Sequence, residues 1–438
     1  LDPRETRLTP ATTLQTLRCL ATEGRWEEHG AALTAALAEW PADPALRSHE
    51  GLAQALAGGG NGGLDQAMAM NPEGESELLA LALVAEGAGN RGLALTARRQ
   101  LRRAQPGRLD YLPELADLAA EADGPEAALT VVSSARAAGR PEALERLPST
   151  TFPHDVPDAL PWADLAFSQG WYLAQLKRWE QAALSYEEAA DIYQRLDRRV
   201  ELGDTLNNAG VAMVEAERPL IAARTFDRAV LVRSGGDPVK AANSRYNLGR
   251  AYADAGKTGQ ALRTWRTAAR EYAVAGERWE AVDTRIETLD LLVKEGDHEG
   301  LEAEAVDILR QVGALEQPAR ALEAEGDLWF ALGRGRLTFR DPDGSLEAYR
   351  RSLTAWQQLG RPVEEGQTLY SMALPHLAKF EFEAAFDDLV AALEIAVAQG
   401  DSSSIVAIRG QLGEIQELVR KSGRPVPKAP EALREWLD

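Results

Sequence analysis

The stretch SRYNLGRAYADAGKTGQALRTWRTAAREY, residues 244–272, decides how this chain is read. Leu248 and Tyr252 stand four apart with Gly249 between them, all on one helical face. Gly256 then stops the helix, because a residue without Cβ adopts the left-handed conformation at a helix end at little steric cost. Ala261, Trp265 and Ala268 share one face of a second helix. Small residues mark where two helices approach closely, and the aromatic ring fills the space between them. The spacing therefore predicts an antiparallel helix pair.

The unit recurs. Gly170, Gly210 and Gly249 are 40 and 39 residues apart, as are Ala182, Ala222 and Ala261, each followed four residues later by Tyr186, Phe226 or Trp265. Weaker copies pair Leu289 with Leu301, Gly326 with Tyr349, and Ala373 with Ala385 and Leu389. Ten residues before the crowded position stand Val200, Val239, Trp279 and Val363, which extends each first helix at its start. The first third has a shorter period, with Pro41, Pro72, Pro106 and Pro141 closing successive units. There Asp43 is placed to cap the next helix with Pro44 in its first turn. GGGNGG at 58–63 leaves one unit degenerate, and PSTTFPHDVPDALPW (148–162) reads as a joint.

Both arrays resemble tetratricopeptide repeats, whose W-x2-L-G-x2-Y…A-x3-F…P pattern is matched best at Leu248, Gly249, Tyr252, Ala261 and Trp265. The 40-residue copies are similar to the longer variety of kinesin light chains and of bacterial regulators. The resemblance implies an all-α, right-handed α-solenoid of stacked antiparallel helix pairs, with the first helices lining a concave groove. The expected organisation is about four 34-residue-type repeats over 1–147, the joint, about six 40-residue-type repeats over 163–401, and a capping helix and tail over 402–438.

The chain of 438 residues carries 68 acidic against 48 basic side chains, a net −20 spread along its length. Phosphate-tracking surfaces need clustered Lys and Arg, so nucleic acid and anionic membrane are poor partners. The sequence has no apolar run of membrane-spanning length, so no membrane insertion is expected. Cys19 is alone, which fits a reducing, cytoplasmic setting. Because the sequence opens on Leu1 rather than Met, an exported chain with its signal removed is the alternative.

A catalytic constellation is not found. His49-Glu50 has Ala53 where a zinc-protease helix needs its second His, and GGGNGG lacks the Lys-Ser or Lys-Thr of a phosphate loop. DPDG at 341–344 opens like a calcium loop, but the bidentate acid falls at Ser352. No G-x-S-x-G elbow is present. The expectation is a non-enzyme with no cofactor and no metal. Trp179 and Trp265 read as aromatic core residues of their units, whereas Trp171 lies opposite the core face.

At about 100° per residue, the face opposite Leu248 and Tyr252 carries Asn243, Asn247, Arg250 and Asp254. The same register selects Phe167 and Trp171; Asn207, Asn208 and Val211; Asp283, Glu287 and Asp290; and Glu323 with Asp327. That grades the groove from aromatic, through Asn, to acidic. An Asn carboxamide both donates and accepts, matching a peptide backbone of either polarity. The excess of seven residues in the unit of Gly326 reads as a loop, GRGRLTFRDPDG (333–344), carrying Arg334, Arg336 and Arg340 as a second binding surface. The expected function is a protein interaction scaffold holding an extended segment of a protein or peptide partner. A ligand-responsive regulatory sensor and an exported envelope assembly factor are the alternatives. The oligomeric state is left open, a homodimer included.

Overall fold

Ala, Leu, Glu, Gln and Arg dominate the chain, so its backbone groups are most readily satisfied inside helices. The computed structural model describes residues 26–43, 89–104, 112–137, 159–428 and 430–433 continuously, with isolated positions around them. Among the described residues there is no strand. Cys19, residues 58–63, Pro72, Pro106, Pro141 and residues 148–158 of the expected joint lie outside them; residues 159–162 open a helix.

The chain divides into two compact units, Leu1–Glu217 and Arg218–Asp438. This division falls within the 40-residue array read from the sequence, not at 148–162. In the first unit the described helices are α1 (Trp26–Glu39), α2 (Arg91–Ala104), α3 (Leu112–Asp123), α4 (Pro125–Ala137), α5 (Ala159–Gln175), α6 (Trp179–Arg195) and α7 (Arg199–Glu215). After α1, Asp43 Oδ1 accepts from the Leu46 amide at 3.1 Å, the capping role its sequence position predicts. From α2 onward, successive helices pack on one another within this unit, α4 on α5 included.

The second unit holds α8 (Pro219–Arg233), α9 (Pro238–Asp254), α10 (Thr258–Ala275), α11 (Arg278–Glu295), α12 (His298–Val312), α13 (Pro318–Thr338), α14 (Pro342–Leu359), α15 (Pro362–Ala378), α16 (Phe382–Gln399) and α17 (Ser402–Lys421). Each packs on the next, and α13 also packs on α11 and α15, so the antiparallel pairs stack in chain order as a tetratricopeptide-like α-solenoid does. The closing helix buries Ile405, Ile408, Leu412, Ile415 and Val419 in one core with Phe386, Leu389 and Leu393 of α16.

The contact inside each pair is the one the opening stretch demanded. A Cβ on Gly249 would collide with the Trp265 indole, one on Gly170 would sit 2.7 Å from Tyr186 Cδ1, and one on Gly333 2.8 Å from Tyr349 Cδ1. Trp265 is 5 % exposed, and its indole N–H donates to the Tyr246 carbonyl at 2.9 Å. Trp179, by contrast, is only half-buried, because it is the first residue of α6 and lies before the crowded turn. Val200 and Val363 are likewise exposed: they start α7 and α15 without entering the core.

Gly333, not Gly326, is the residue that corresponds to Gly249 in its pair, and this removes the expected loop. Gly333 stands 12 residues before Ser345, as Gly249 stands before Ala261. The surplus residues precede α13, and 333–338 form its last turns. DPDG is a helix start: Asp341 Oδ1 accepts from the Gly344 amide at 2.9 Å. The left-handed residue seven positions after each crowded site confirms the register: Lys177, Gly256, Gly296, Arg340 and Phe380 all have φ between 57° and 75°.

Gly249→Ala is expected to lower stability by about 1–3 kcal/mol, because the new methyl must displace a buried, hydrogen-bonded indole. Trp265→Ala should lower it by about 3–5 kcal/mol. Urea unfolding reads both, and hydrogen exchange should show the loosening spread to the neighbouring pairs. Exposed Lys177, at φ 57°, carries left-handed strain, so Lys177→Gly should raise stability by about 0.5–1 kcal/mol in the same assay.

Candidate functional site

Within the second unit α9, α11, α13 and α15 open successive pairs, with Gly249, Leu289, Gly333 and Ala373 at the crowded position. Six residues earlier stand Asn243, Asp283, Asp327 and Gln367; two earlier, Asn247, Glu287, Ala331 and Ser371; one later, Arg250, Asp290, Arg334 and Leu374. All except Ala331 are exposed or half-buried, so this face of the first helices is open to solvent. Asn243 is not idle there: its Oδ1 accepts from the Tyr272 hydroxyl at 2.5 Å. The same arrangement recurs in the first unit, where Tyr193 donates to Asp164 at 2.6 Å.

Carboxylates crowd the middle of this face. Arg320, at the start of α13, pairs with Asp283 of α11 and lies 2.6 Å from Glu323, while Arg361 lies 3.6 Å from Glu323. Arg334 pairs with Asp290. Even beside these cations, burial makes the ionised form of the row costly. Burial raises the pKa of Asp283 despite Arg320. Burial, then the charge of Asp290, raise that of Glu287 against the pull of Arg334 and Arg250. Asp327 is pushed up to about 6, first by burial and then by Asp283, Glu323 and Glu364, with Arg320 opposing. Glu287 and Asp327 reach solvent on one side and meet protein on the others. An accessible carboxylate is partly desolvated in that way.

Asn243, Asn247, Arg250, Asp283, Glu287 and Asp290 therefore share one unit and one set of helix positions, and Arg250 lies within electrostatic reach of Glu287. Trp171, 49 % exposed on α5, and half-buried Asn207 and Asn208 on α7 belong to the first unit. Phe167 packs its ring 5.5 Å from that of Tyr186, a core contact repeated by Tyr246 with Trp265 and Phe330 with Tyr349. The three arginines read as a loop surface separate: Arg334 pairs with Asp290, Arg336 makes a two-bond pair with Glu302 at 2.8 and 2.9 Å, and exposed Arg340 occupies the turn after α13.

The sequence reading missed a cavity of about 330 Å³ between α13, α15, α16 and α17. Phe330, Val363, Tyr370 and Ile395 wall it, and Gln367 and Ser371 give it a polar edge. Gly366 and Ala396, both small, also line it and are the signal that marks it. Among the described residues no three His, Cys, Asp or Glu side chains are grouped to hold a metal ion, and no helix is long and apolar enough to cross a membrane.

The raised pKa of Asp327 has a definite sign in stability. The native state holds this proton more tightly than the unfolded chain, whose carboxyl titrates near 3.8. The group therefore favours folding below pH 3.8, and that contribution is lost as pH rises through about 6. Asp327→Asn should be more stable than the parent at about pH 7 and equal to it near pH 4. Urea midpoints at the two pH values check this, and a gap that stays constant would contradict it.

The family model of the soluble NSF attachment protein, SNAP, matches residues 173–326, less than half of the chain. No curated protein matches the sequence. Among solved structures, BtubC (BKLC) from P. vanneervenii is 18% identical, with 51% of this chain and 92% of that one covered at a TM-score of 0.42. A tetratricopeptide repeat protein from Parabacteroides merdae ATCC 43184 is 14% identical, with 69% and 98% covered at 0.38. A Rap protein complexed with Competence and Sporulation Factor is 12% identical, with 89% and 98% covered at 0.36.

Proposed function

We propose that the chain is a non-catalytic interaction scaffold that holds an extended, basic segment of a partner protein on the first-helix face of its second unit. Asp283, Glu287 and Asp327 carry the reading. Each has its pKa raised, first by burial, although arginines stand near it, so holding the row ionised is costly for the free chain. A Lys or Arg side chain laid along α11 and α13 would favour the ionised form of these carboxylates by opposite charge. Asn247 and Arg250 flank the acidic row on α9 and would meet the backbone and the acidic or carbonyl groups of the same segment. Trp171, Asn207 and Asn208 offer a second polar and aromatic surface, in the first unit, that we assign to separate contacts.

Immobilised full-length chain would be used to select from a library of random decapeptides. The expected result is enrichment of Lys and Arg, falling with added salt because the contacts are partly exposed. Asp283→Asn with Asp327→Asn should weaken the selected peptides by roughly tenfold with no loss of thermal stability. Selection without charge bias, or unchanged by the double substitution, would remove the basis for the proposed site.

A further inference from the structure

We infer that the cavity between α13, α15, α16 and α17 is a vacated aromatic slot that takes a tyrosine or tryptophan side chain of the partner segment. The slot stands on the repeat geometry alone; that its occupant belongs to a basic peptide rests on the function proposed above.

In five helix pairs that each lie within one unit, the residue seven before the crowded position is matched by one thirty residues later on the second helix. The pairs are Ala163 with Tyr193, Ala242 with Tyr272, Val282 with Val312, Gly326 with Trp356 and Gly366 with Ala396. Four of them fill their space. Tyr193 and Ala163 are both buried, Tyr272 packs in one cluster with Ala242, Val282 and Val312 share another, and a Cβ on Gly326 would come 2.5 Å from the Trp356 ring. In the last pair Gly366 and Ala396 supply neither a ring nor a branched side chain; a Cβ on Gly366 would come 3.3 Å from Ile395 Cγ2, and the cavity of about 330 Å³ opens beside them. Its volume is within the range of a small-ligand site.

The chemistry of the missing group can be read from the filled slots. Tyr193 and Tyr272 send their hydroxyls to Asp164 and Asn243, six residues before their crowded positions. In the last pair that position is Gln367, which is exposed and lines the cavity. Its carboxamide can donate to or accept from a phenol or an indole, while the rings of Phe330 and Tyr370 suit an aromatic body. Asp327 lies one helical turn from Phe330, and Glu364 adjoins Val363 and acts on Asp327 electrostatically. The slot thus opens beside the acidic row, which favours an aromatic residue with Lys or Arg near it.

The test uses neutral probes first. The full chain should bind 4-methylphenol or indole with a Kd on the order of 1 mM or tighter, and toluene several-fold more weakly. Ala396→Trp rebuilds the Gly326 and Trp356 arrangement; it should raise the melting temperature and abolish probe binding. Should that variant fail to fold, Gln367→Leu keeps the slot and should erase the preference for 4-methylphenol over toluene. No probe binding, or binding that survives Ala396→Trp, overturns the slot. The peptide Lys-Gly-Tyr-Gly-Lys-Gly-Lys and its counterpart with Ala for Tyr then separate the two claims. A Tyr peptide bound at least about tenfold more tightly, with the gain lost in Ala396→Trp, supports the occupant. Equal binding of the two peptides overturns it while leaving the acidic row intact. Probe binding with no binding of either peptide overturns the basic occupant and the row but not the slot. A dimer abolished by Ala396→Trp would put a second copy in the slot and overturn the peptide.

Discussion

The close approach of a first helix to the aromatic ring of its partner, shown by Gly249 against Trp265, is the constraint on which the rest depends. Glycine or another small residue is required there because a methyl group would occupy the ring's space. Once that contact is fixed, the positions six before, two before and one after it are carried to the opposite side of the helix. The residue seven after it must turn left-handed so that the chain can reverse into the second helix, even where it is Lys177 or Phe380. Packing inside the pair therefore determines which side chains are presented outside it.

What is presented in the second unit is dominated by unbalanced charge. Arg320 and Arg334 each tie an acidic residue of α11 to α13, joining successive pairs. Such half-exposed ion pairs contribute little to stability on their own. Their arrangement matters more, because the charge of Asp283 acts on Glu287 along α11 and on Asp327 across to α13. A scaffold held together by its apolar seams can tolerate that repulsion. The apolar core around Leu289, Leu301 and Leu328 lies beneath this row and supplies such a seam.

Much of the fold was legible because the repeat spacing reports a physical contact. The helix pairs at Gly170, Gly249 and Ala373, the stop at Gly256 and the cap at Asp43 follow from side-chain size and backbone conformation alone. The register error at Gly326 has an equally physical origin. Gly326 and Gly333 are two helical turns apart on nearly the same face, and each meets an aromatic ring, Trp356 or Tyr349. Choosing Gly326 creates a seven-residue surplus and hence a loop; choosing Gly333 makes the same residues the end of a helix. Of the candidate site, the row of positions was readable, but its energetics were not. The phenol on Asn243 comes from 29 residues away, and the cavity beside Gly366 depends on Ala396, thirty residues on. Such pairings become visible only once every crowded position is known.

The most direct measurement of the central claim is carbodiimide labelling of carboxylates, read by mass spectrometry on the full chain with and without a bound basic peptide. The account predicts that Asp283, Glu287 and Asp327 lose labelling on binding, while exposed carboxylates of the first unit such as Glu180 keep theirs. Unchanged labelling of the three, with protection appearing elsewhere on the chain, would contradict it.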